Sequence, residues 1–451
     1  MKVIIVGAGK VGFSIASTLS SKDIDVTVVD TRPDRLIQVQ EYLDVQVLEG
    51  NGASMSVLEQ AGIADSDLLV AVTELDELNM MTCFVAKSYG VKSAIARVRR
   101  PEYGELAASS RREQLGIDLI VNPELLAAQE IGKLVLHPEA HEVEYYADGR
   151  VVMLGLKIKE DSSIAGKSLK DINFPKPCVI VGIIRGEDLI VPNGFSLIQP
   201  KDEIFMLAAT KDMLDLEIFL GVRKRAVNNI AIFGGQLLGR YVAKFFEVRR
   251  RKINVKLFEE DANICLALNE ELKRTIIING SGKDMNLMLD ENIAEMDAVL
   301  AVNDEDETNV MISIIAKHIG AQKVIAQIRR SDYVNMIENF GIDKAVSPRS
   351  LMVSTILRYI NRGSVLNLKL LQNDMAQMNE FKITEDCKHV GKALKHLHFP
   401  GQSIVELILR GDDIIIPRGD DAFLPGDRVF TFAAETSAQD VVKYLAVHGA
   451  D

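Results

Sequence analysis

The sequence predicts an α/β fold of two tandem repeats, each a doubly wound parallel sheet followed by a small β-rich α+β lobe, and three observations carry that prediction. An apolar strand runs into a glycine-rich turn twice, as Val3-Ile4-Ile5-Val6 into Gly7-Ala8-Gly9-Lys10-Val11-Gly12 and as Ile230-Ala231-Ile232-Phe233 into Gly234-Gly235-Gln236-Leu237-Leu238-Gly239. The likeness continues past the turns: Leu69-Val70-Ala71-Val72 recurs as Val299-Leu300-Ala301-Val302, and Ile95-Ala96-Arg97-Val98-Arg99-Arg100 as Ile325-Ala326-Gln327-Ile328-Arg329-Arg330. Short apolar runs also alternate with stretches of helical periodicity long enough for the crossovers that parallel strands require.

In order along the first repeat, strands are expected over residues 2–6, 25–29, 45–48, 68–72, 93–98 and 119–121. Pro123 then opens a helix in which Leu125, Leu126, Ile131, Leu134 and Val135 recur near helical spacing up to Pro138. From about His141 the pattern becomes one of alternating strands, such as 151–157 and 179–185, separated by Gly186-Glu187-Asp188 and Pro192-Asn193-Gly194. The second repeat keeps this order. Gly391-Lys392-Ala393-Leu394 answers Gly166-Lys167-Ser168-Leu169, Phe399-Pro400 answers Phe174-Pro175, and Pro417 answers Pro192, all at one offset. The expected parts are therefore a sheet lobe over 1–122, a crossover helix over 123–140 and a C-terminal lobe over 141–222, then 227–346, 347–363 and 364–451 for the second copy.

Composition bounds the function. A chain of 451 residues with a net charge of −12 has no basic run long enough to neutralise a row of phosphates, so nucleic acid is not an expected partner. Cys83, Cys178, Cys265 and Cys387 are widely separated, which supports neither a disulfide framework nor a thiolate zinc site and fits a reducing cytoplasm. The chain opens directly on a strand, without signal-peptide regions, and no uncharged apolar run approaches the ~18–20 residues of a membrane span. A cytoplasmic protein is expected, with any membrane connection made through a partner.

The first glycine turn has a definite chemistry. Gly7 permits the tight strand-to-helix turn, Gly9 lets backbone approach a pyrophosphate, and Gly12 lets helix pack on strand; Ala8, Lys10 and Val11 complete the loop. Asp30, at the end of the second strand, is placed to accept hydrogen bonds from a ribose diol and to repel a 2′-phosphate, which favours NAD over NADP. ATP and ADP offer the same diol and remain open. Thr73 and Glu74 follow the fourth strand, and Arg97 ends the fifth, where its guanidinium can meet the pyrophosphate; position alone leaves open a solvated loop and a surface arginine. Asn51, between Gly50 and Gly52, is a candidate adenosine contact or a turn residue.

The second repeat departs from this pattern. Gln236 stands where Gly9 stands, and Gln327 replaces Arg97, while Glu259 keeps the acid and Asn303-Asp304 answers Thr73-Glu74. Gly234, Gly235 and Glu259 thus mark a degenerate second site.

These residues resemble a known family. The GAGKVG opening, Asp30, Ala71-Val72-Thr73, Asp76, Asn79 and Ala96-Arg97 before Tyr103 are similar to the regulator of K⁺ conductance (RCK) module, and its duplication, with a C-terminal lobe after each copy, resembles the regulatory subunits of Trk potassium-uptake systems. The resemblance implies a cytosolic, non-enzymatic ring of NAD(H)-binding subunits, with ATP or ADP as further ligands. It would act as a homodimer or homotetramer at the inner face of the membrane, beneath a Trk-type potassium channel or transporter subunit. It also implies that the helices of 123–138 and 347–360 pack neighbouring modules together.

Two other classes remain open. A dehydrogenase would need a general acid or base at the nicotinamide, and the candidates are poor: His137 and His141 are interrupted by Pro138, and His396 and His398 have strand-like spacing with no third ligand. Asp304-Glu305-Asp306-Glu307 and Arg249-Arg250-Arg251-Lys252 read as solvated faces, the former with a divalent cation as the alternative. A third reading follows from the resemblance of the C-terminal lobes to those of RCK modules, which implies a small effector at a dimer interface, an anionic one met by Arg185 or Arg410, with a plain dimerisation surface as the alternative.

Overall fold

The structure of the protein, a computed structural model, describes its residues except 22–23, 104–113, 148, 187, 223–226, 249–252, 331–332, 334–339, 361–366, 372–375, 412 and 446–451. The Arg249–Lys252 run, Glu187 and the last residues of the second crossover segment lie outside the described residues.

The first repeat opens with β1 (Lys2–Val6), α1 (Lys10–Ser20), β2 (Asp25–Asp30), α2 (Pro33–Tyr42), β3 (Gln46–Glu49), α3 (Met55–Gln60), β4 (Leu68–Ala71), α4 (Asp76–Ser88), β5 (Ser93–Arg97) and β6 (Leu119–Val121). The six strands form one parallel sheet in the order 3-2-1-4-5-6, so the chain leaves β1 first to one side and then to the other. Val3 to Val6 are at most 2% exposed, as expected of a central strand covered by helices on both faces. Strand ends fall within a residue or so of expectation. β4 stops before Val72, although Val72 N still donates to Val6 O at 2.8 Å, so the ladder outlasts the strand.

After α5 (Pro123–Leu136) come β7 (Ala140–Tyr146), β8 (Val151–Lys157), β9 (Cys178–Arg185), β10 (Asp188–Ile190), β11 (Glu203–Ala209) and α6 (Met213–Phe219). The strands form an antiparallel sheet ordered 10-9-11-8-7. The second repeat has the same plan: β12 (Asn229–Phe233), α7 (Leu237–Val248), β13 (Asn254–Glu259), α8 (Ala262–Glu271), β14 (Ile276–Asn279), α9 (Met285–Asp290), β15 (Ala298–Ala301), α10 (Asp306–His318), β16 (Val324–Gln327) and β17 (Lys344–Val346). α11 (Pro348–Ile360) leads to β18 (Asn367–Leu371), β19 (Ala376–Lys382), β20 (Ser403–Arg410), β21 (Asp413–Ile415), β22 (Arg428–Ala434) and α12 (Glu435–Leu445). Among the described residues no helix is long and apolar enough to cross a membrane.

Like packs with like. One compact unit comprises Met1–Gly132 and Asn228–Tyr359, the two parallel sheets; the other comprises Lys133–Val227 and Ile360–Asp451, the two antiparallel ones. Within the first unit, Asn122 Nδ2 donates to Tyr241 Oη at 3.2 Å, and Gly132 sits so close to Phe245 that a Cβ would lie 2.1 Å from its ring. No larger residue fits there without moving a helix.

Within the second unit the central strands are buried on both faces. β8 is buried at six of its seven residues. Leu154 and Leu156 face Met206, Met213 and Leu216 of their own lobe, whereas Val151 and Met153 join Phe205 and Leu207 against Leu407, Leu409, Phe430 and Phe432 of the second lobe. The two sheets are thus halves of one apolar sandwich, with Phe205 and Phe432 at a 6.2 Å centroid distance and Tyr146 edge-on to Phe430 at 5.5 Å.

The two arginines suggested for an anionic effector are committed elsewhere. Arg185 donates through Nε (2.9 Å) and Nη2 (2.8 Å) to Asp202, and Arg410 through Nε (3.0 Å) and Nη2 (2.9 Å) to Asp427, each carboxylate 1% exposed. A bidentate pair with a buried carboxylate fixes the Nε and Nη2 edge of each guanidinium on its own lobe, which gives both arginines a structural role.

The histidines also find structural places. His137 stands at the end of α5, its N donating to Lys133 O at 2.9 Å, and its ring is buried between Glu217 and Tyr145, each at 3.1 Å; His141 lies on β7 with Nε2 3.6 Å from Glu203. His396 ends a short 3-10 turn (Leu394–His396) instead of lying on a strand.

Candidate functional site

The site begins with backbone. Gly7 has φ of +112°, a conformation that side chains rarely adopt, and its N donates to Val29 O at 2.8 Å, which turns the chain out of β1. Gly12 lies one helical turn later, where a Cβ would be 1.8 Å from Gly7 O. Gly9 is the N-cap of α1 and receives no side-chain cap; a Cβ on it would meet only Arg35 Nη1, at 3.7 Å. The turn is therefore closed on its protein side by Gly7 and Gly12 and open at Gly9, with the first N–H groups of α1 free of side-chain acceptors.

Asp30 is 8% exposed and fastens β2 to this turn. Its Oδ2 accepts from Ala8 N at 2.6 Å and its Oδ1 from Arg32 N at 2.9 Å, with Arg35 Nη1 3.9 Å away. The carboxylate keeps unused lone pairs for a further donor.

A second clip holds the far wall. Asn79, fully buried, accepts from Thr73 N at 2.9 Å and donates to Thr73 O at 3.1 Å and Arg97 O at 2.9 Å, tying together the ends of β4 and β5. Asp76 accepts from Arg99 N and Arg100 N, both near 3 Å. Asp76 and Asn79 thus position the neighbours of the site from beneath it.

What these clips present is a cavity of about 1080 Å³. Gly7, Ala8, Gly9, Lys10, Val11, Asp30, Thr73, Glu74 and Arg97 all line it. Gly12 lies behind it as packing, and Asn51 is absent from the lining: its Oδ1 accepts from Ala53 N at 2.9 Å, a turn role, while Gly50 and Gly52 take the wall. Glu74 is exposed and only 3.6 Å from Arg35 Nη2, a weak tether.

Arg97 is the most telling side chain. It is half-buried, its Nη1 reaches Thr73 O at a long 3.3 Å, and its Nε is buried without a hydrogen-bond partner. Burial, and secondarily Arg99, lower its pKa from the ordinary arginine value. A desolvated, under-satisfied guanidinium is costly unless an anion meets it. Beside it Arg99 holds Glu124 Oε1 (Nε 2.9 Å, Nη2 2.6 Å), while Glu124 Oε2 is buried and unpartnered, an acceptor that suits a hydroxyl.

Part of the lining was not legible in the sequence. Arg35, Arg99 and Glu124 border the cavity, and so do Gln327, Arg329 and Arg349 of the second repeat. The repeated Arg-Arg pair and the proline-led helix carried a signal for Arg99 and Glu124; nothing local in sequence connects Arg349 with a turn more than three hundred residues earlier.

The second turn shares the backbone and differs in its side chains. Gly234 also has φ of +112°, and a Cβ on Gly239 would again be 1.8 Å from Gly234 O. Glu259 reproduces the clip, accepting from Gly235 N at 2.7 Å and Asp261 N at 2.9 Å. Its extra methylene takes up room: a Cβ on Gly235 would lie 3.0 Å from Glu259 Oε2 and 2.7 Å from Leu268 Cδ1, which is why glycine stands where Ala8 stands in the first turn. Gln327 is 2% exposed and satisfied, its amide donating to Val302 O at 3.3 Å and accepting from Arg329 Nε at 3.1 Å. No cation is left wanting an anion at that position. Among the described residues no group of three His, Cys, Asp or Glu side chains is placed to hold a metal ion, the acidic stretch at 304–307 included.

Two like sheets with glycine turns, each followed by an antiparallel lobe, are the architecture of tandem RCK modules. The protein is similar to the solved GsuK RCK domain at a TM-score of 0.62 and 16% identity, over 98% of this chain and 94% of that one, and to the GsuK channel bound to NAD at 0.63 and 16%, over 98% and 78%; at that identity the likeness is one of fold. The TrkA-N domain model matches residues 3–123 and 230–348, and the TrkA-C domain model residues 153–221 and 378–446. The Trk system potassium uptake protein TrkA homolog 2 of Methanosarcina mazei is 37% identical over 98% of this chain and 99% of its own, and the Trk system potassium uptake protein TrkA of Haemophilus influenzae is 33% identical over 96% of each. The chain belongs to the TrkA family of Trk system potassium uptake proteins.

Proposed function

We propose that the cavity on the first glycine turn binds NAD(H), with ATP and ADP as the competing ligands, and that the chain is the regulatory subunit through which nucleotide controls a Trk-type potassium channel or transporter. The observation that carries the reading is the joint placement of an open Gly9, an uncapped helix N-terminus and the under-satisfied Arg97 around one cavity. Pyrophosphate meets all three, by accepting from turn N–H groups and from the guanidinium. Asp30 and Glu124 Oε2 supply acceptors for sugar hydroxyls. The GsuK channel, a structural neighbour, has been solved bound to NAD, and the relatives from Methanosarcina mazei and Haemophilus influenzae bear the name of Trk potassium uptake.

The ligand acts here as a signal. Among the described residues lining the cavity there is no histidine, and the single lysine, Lys10, stands on the glycine turn with the phosphates rather than at a nicotinamide. A nucleotide that binds one arrangement of lobes better than another shifts their population, and a membrane partner docked on a homodimer or homotetramer reads that shift.

Calorimetry of the nucleotide-stripped protein with NADH, NAD⁺, ATP and ADP, followed by potassium flux in vesicles holding the membrane subunit, tests both halves of the proposal. Binding at one high-affinity site per chain and nucleotide-dependent flux are expected. Turnover of NADH with a small substrate, or flux indifferent to nucleotide, would replace the sensor by an enzyme.

A further inference from the structure

The wall of the cavity facing the first turn comes from the second repeat, and there the internal symmetry is broken in charge. α5 and α11 both begin with proline, and the next residue is Glu124 in one and Arg349 in the other. Glu124 is held by Arg99. Arg329, the counterpart of Arg99, instead pairs with Asp304, and among the described residues Arg349 makes no ion pair. The charges that act on it are Asp306, whose oxygens accept from Arg329 N and Arg330 N, and Arg329 itself. Burial holds the Arg349 pKa below the ordinary arginine value, as it does for Arg97.

Two guanidiniums without carboxylate partners, one from each repeat, therefore border the same cavity. Each is partly desolvated, which is unfavourable for a guanidinium unless an anion meets it. The second repeat carries Gln236 where the first has Gly9 and a hydrogen-bonded Gln327 where the first has Arg97, yet it places a cation on the lining of the first repeat's cavity.

We infer that Arg349 is a ligand-binding and specificity residue of the first-repeat site, where it takes a phosphate beyond those held by the glycine turn and Arg97, so that affinity rises with the number of phosphates on an adenine nucleotide. The inference rests on the nucleotide reading above and goes further in assigning the second repeat to the same site. A charge-assisted contact from guanidinium to phosphate is among the stronger hydrogen bonds a protein makes, and it is lost when the phosphate is absent.

The test is calorimetry of the full chain and its Arg349→Gln, Arg349→Glu and Arg349→Lys variants with ATP, ADP and AMP. ATP affinity is expected to fall about tenfold or more in Arg349→Gln and further in Arg349→Glu, with partial rescue in Arg349→Lys, while AMP affinity changes less than about twofold. Unchanged AMP binding shows that fold and turn are intact in each variant. Equal losses for ATP and AMP, or no loss for either, would overturn the role of Arg349 while leaving nucleotide binding standing. Failure of the unmodified chain to bind any of the three would remove the site itself.

Discussion

The two glycine turns have the same backbone and different remainders. Gly7 and Gly234 share a φ of +112°, and Gly12 and Gly239 share the same close approach, so both turns do the same work for the fold. In the first, the side chains then leave an open Gly9, a buried Arg97 Nε and a free Glu124 Oε2. In the second, Gln236 projects from the turn and Gln327 closes its hydrogen bonds on protein. A duplicated fold can thus keep its turn geometry in both copies while the side chains around the turn diverge, because the glycines that shape the turn, Gly7 and Gly12, are not the position that changes, Gly9 against Gln236.

The harshest test of that comparison is Gly12→Ala beside Gly239→Ala. Each places a methyl carbon on a backbone oxygen, and each should cost about 3 kcal/mol or more, read as a fall of several degrees in Tm. The two losses should be similar. A large loss at Gly12 alone would mean that the second turn is not built as the first is.

Gly9→Gln imports the second copy's residue into the first. Nothing but Arg35 Nη1 stands near the added Cβ, so the Tm of the unliganded protein should hold while nucleotide affinity falls about a hundredfold, near 2.7 kcal/mol. Calorimetry decides it, and affinity retained in this variant would remove the glycine turn from the site.

A smaller effect separates the antiparallel lobes. Glu406 occupies the irregular position of β20 that Val181 occupies in β9; it is fully buried, both its carboxyl oxygens lack partners, and burial pushes its pKa well above the ordinary glutamate value. Because the folded state prefers the protonated form, wild-type stability should fall as pH rises from the ordinary glutamate value, about 4.3, through the raised one. Glu406→Val should accordingly stabilise the protein at pH 7 by about 1–3 kcal/mol, with the gain shrinking toward pH 4. A gain independent of pH would show that the carboxyl does not titrate in that range.

The parallel-sheet class, both turns and the repeat were legible because each depends on local chemistry that sequence displays: apolar runs, glycine where φ is positive, and an acid at the end of the second strand. Two kinds of feature were not. What covers the second face of the strand over 151–157, here Phe430, Phe432 and their neighbours, was not legible, because periodicity reports which residues are apolar and says nothing of what packs on them. The structural role of Arg185 and Arg410 was not legible either, because Asp202 and Asp427, which hold them, are seventeen residues further on and are brought beside them by the sheet.

By itself, then, the sequence determined the two copies of the fold and the residues Gly7, Gly9, Asp30 and Arg97 around one turn, since these act within a single strand–turn–helix unit or at neighbouring strand ends. Tertiary structure decided which cations are still without a partner and which wall Arg349 joins, because charge compensation and cavity lining are set by residues hundreds of positions apart that only packing brings within reach.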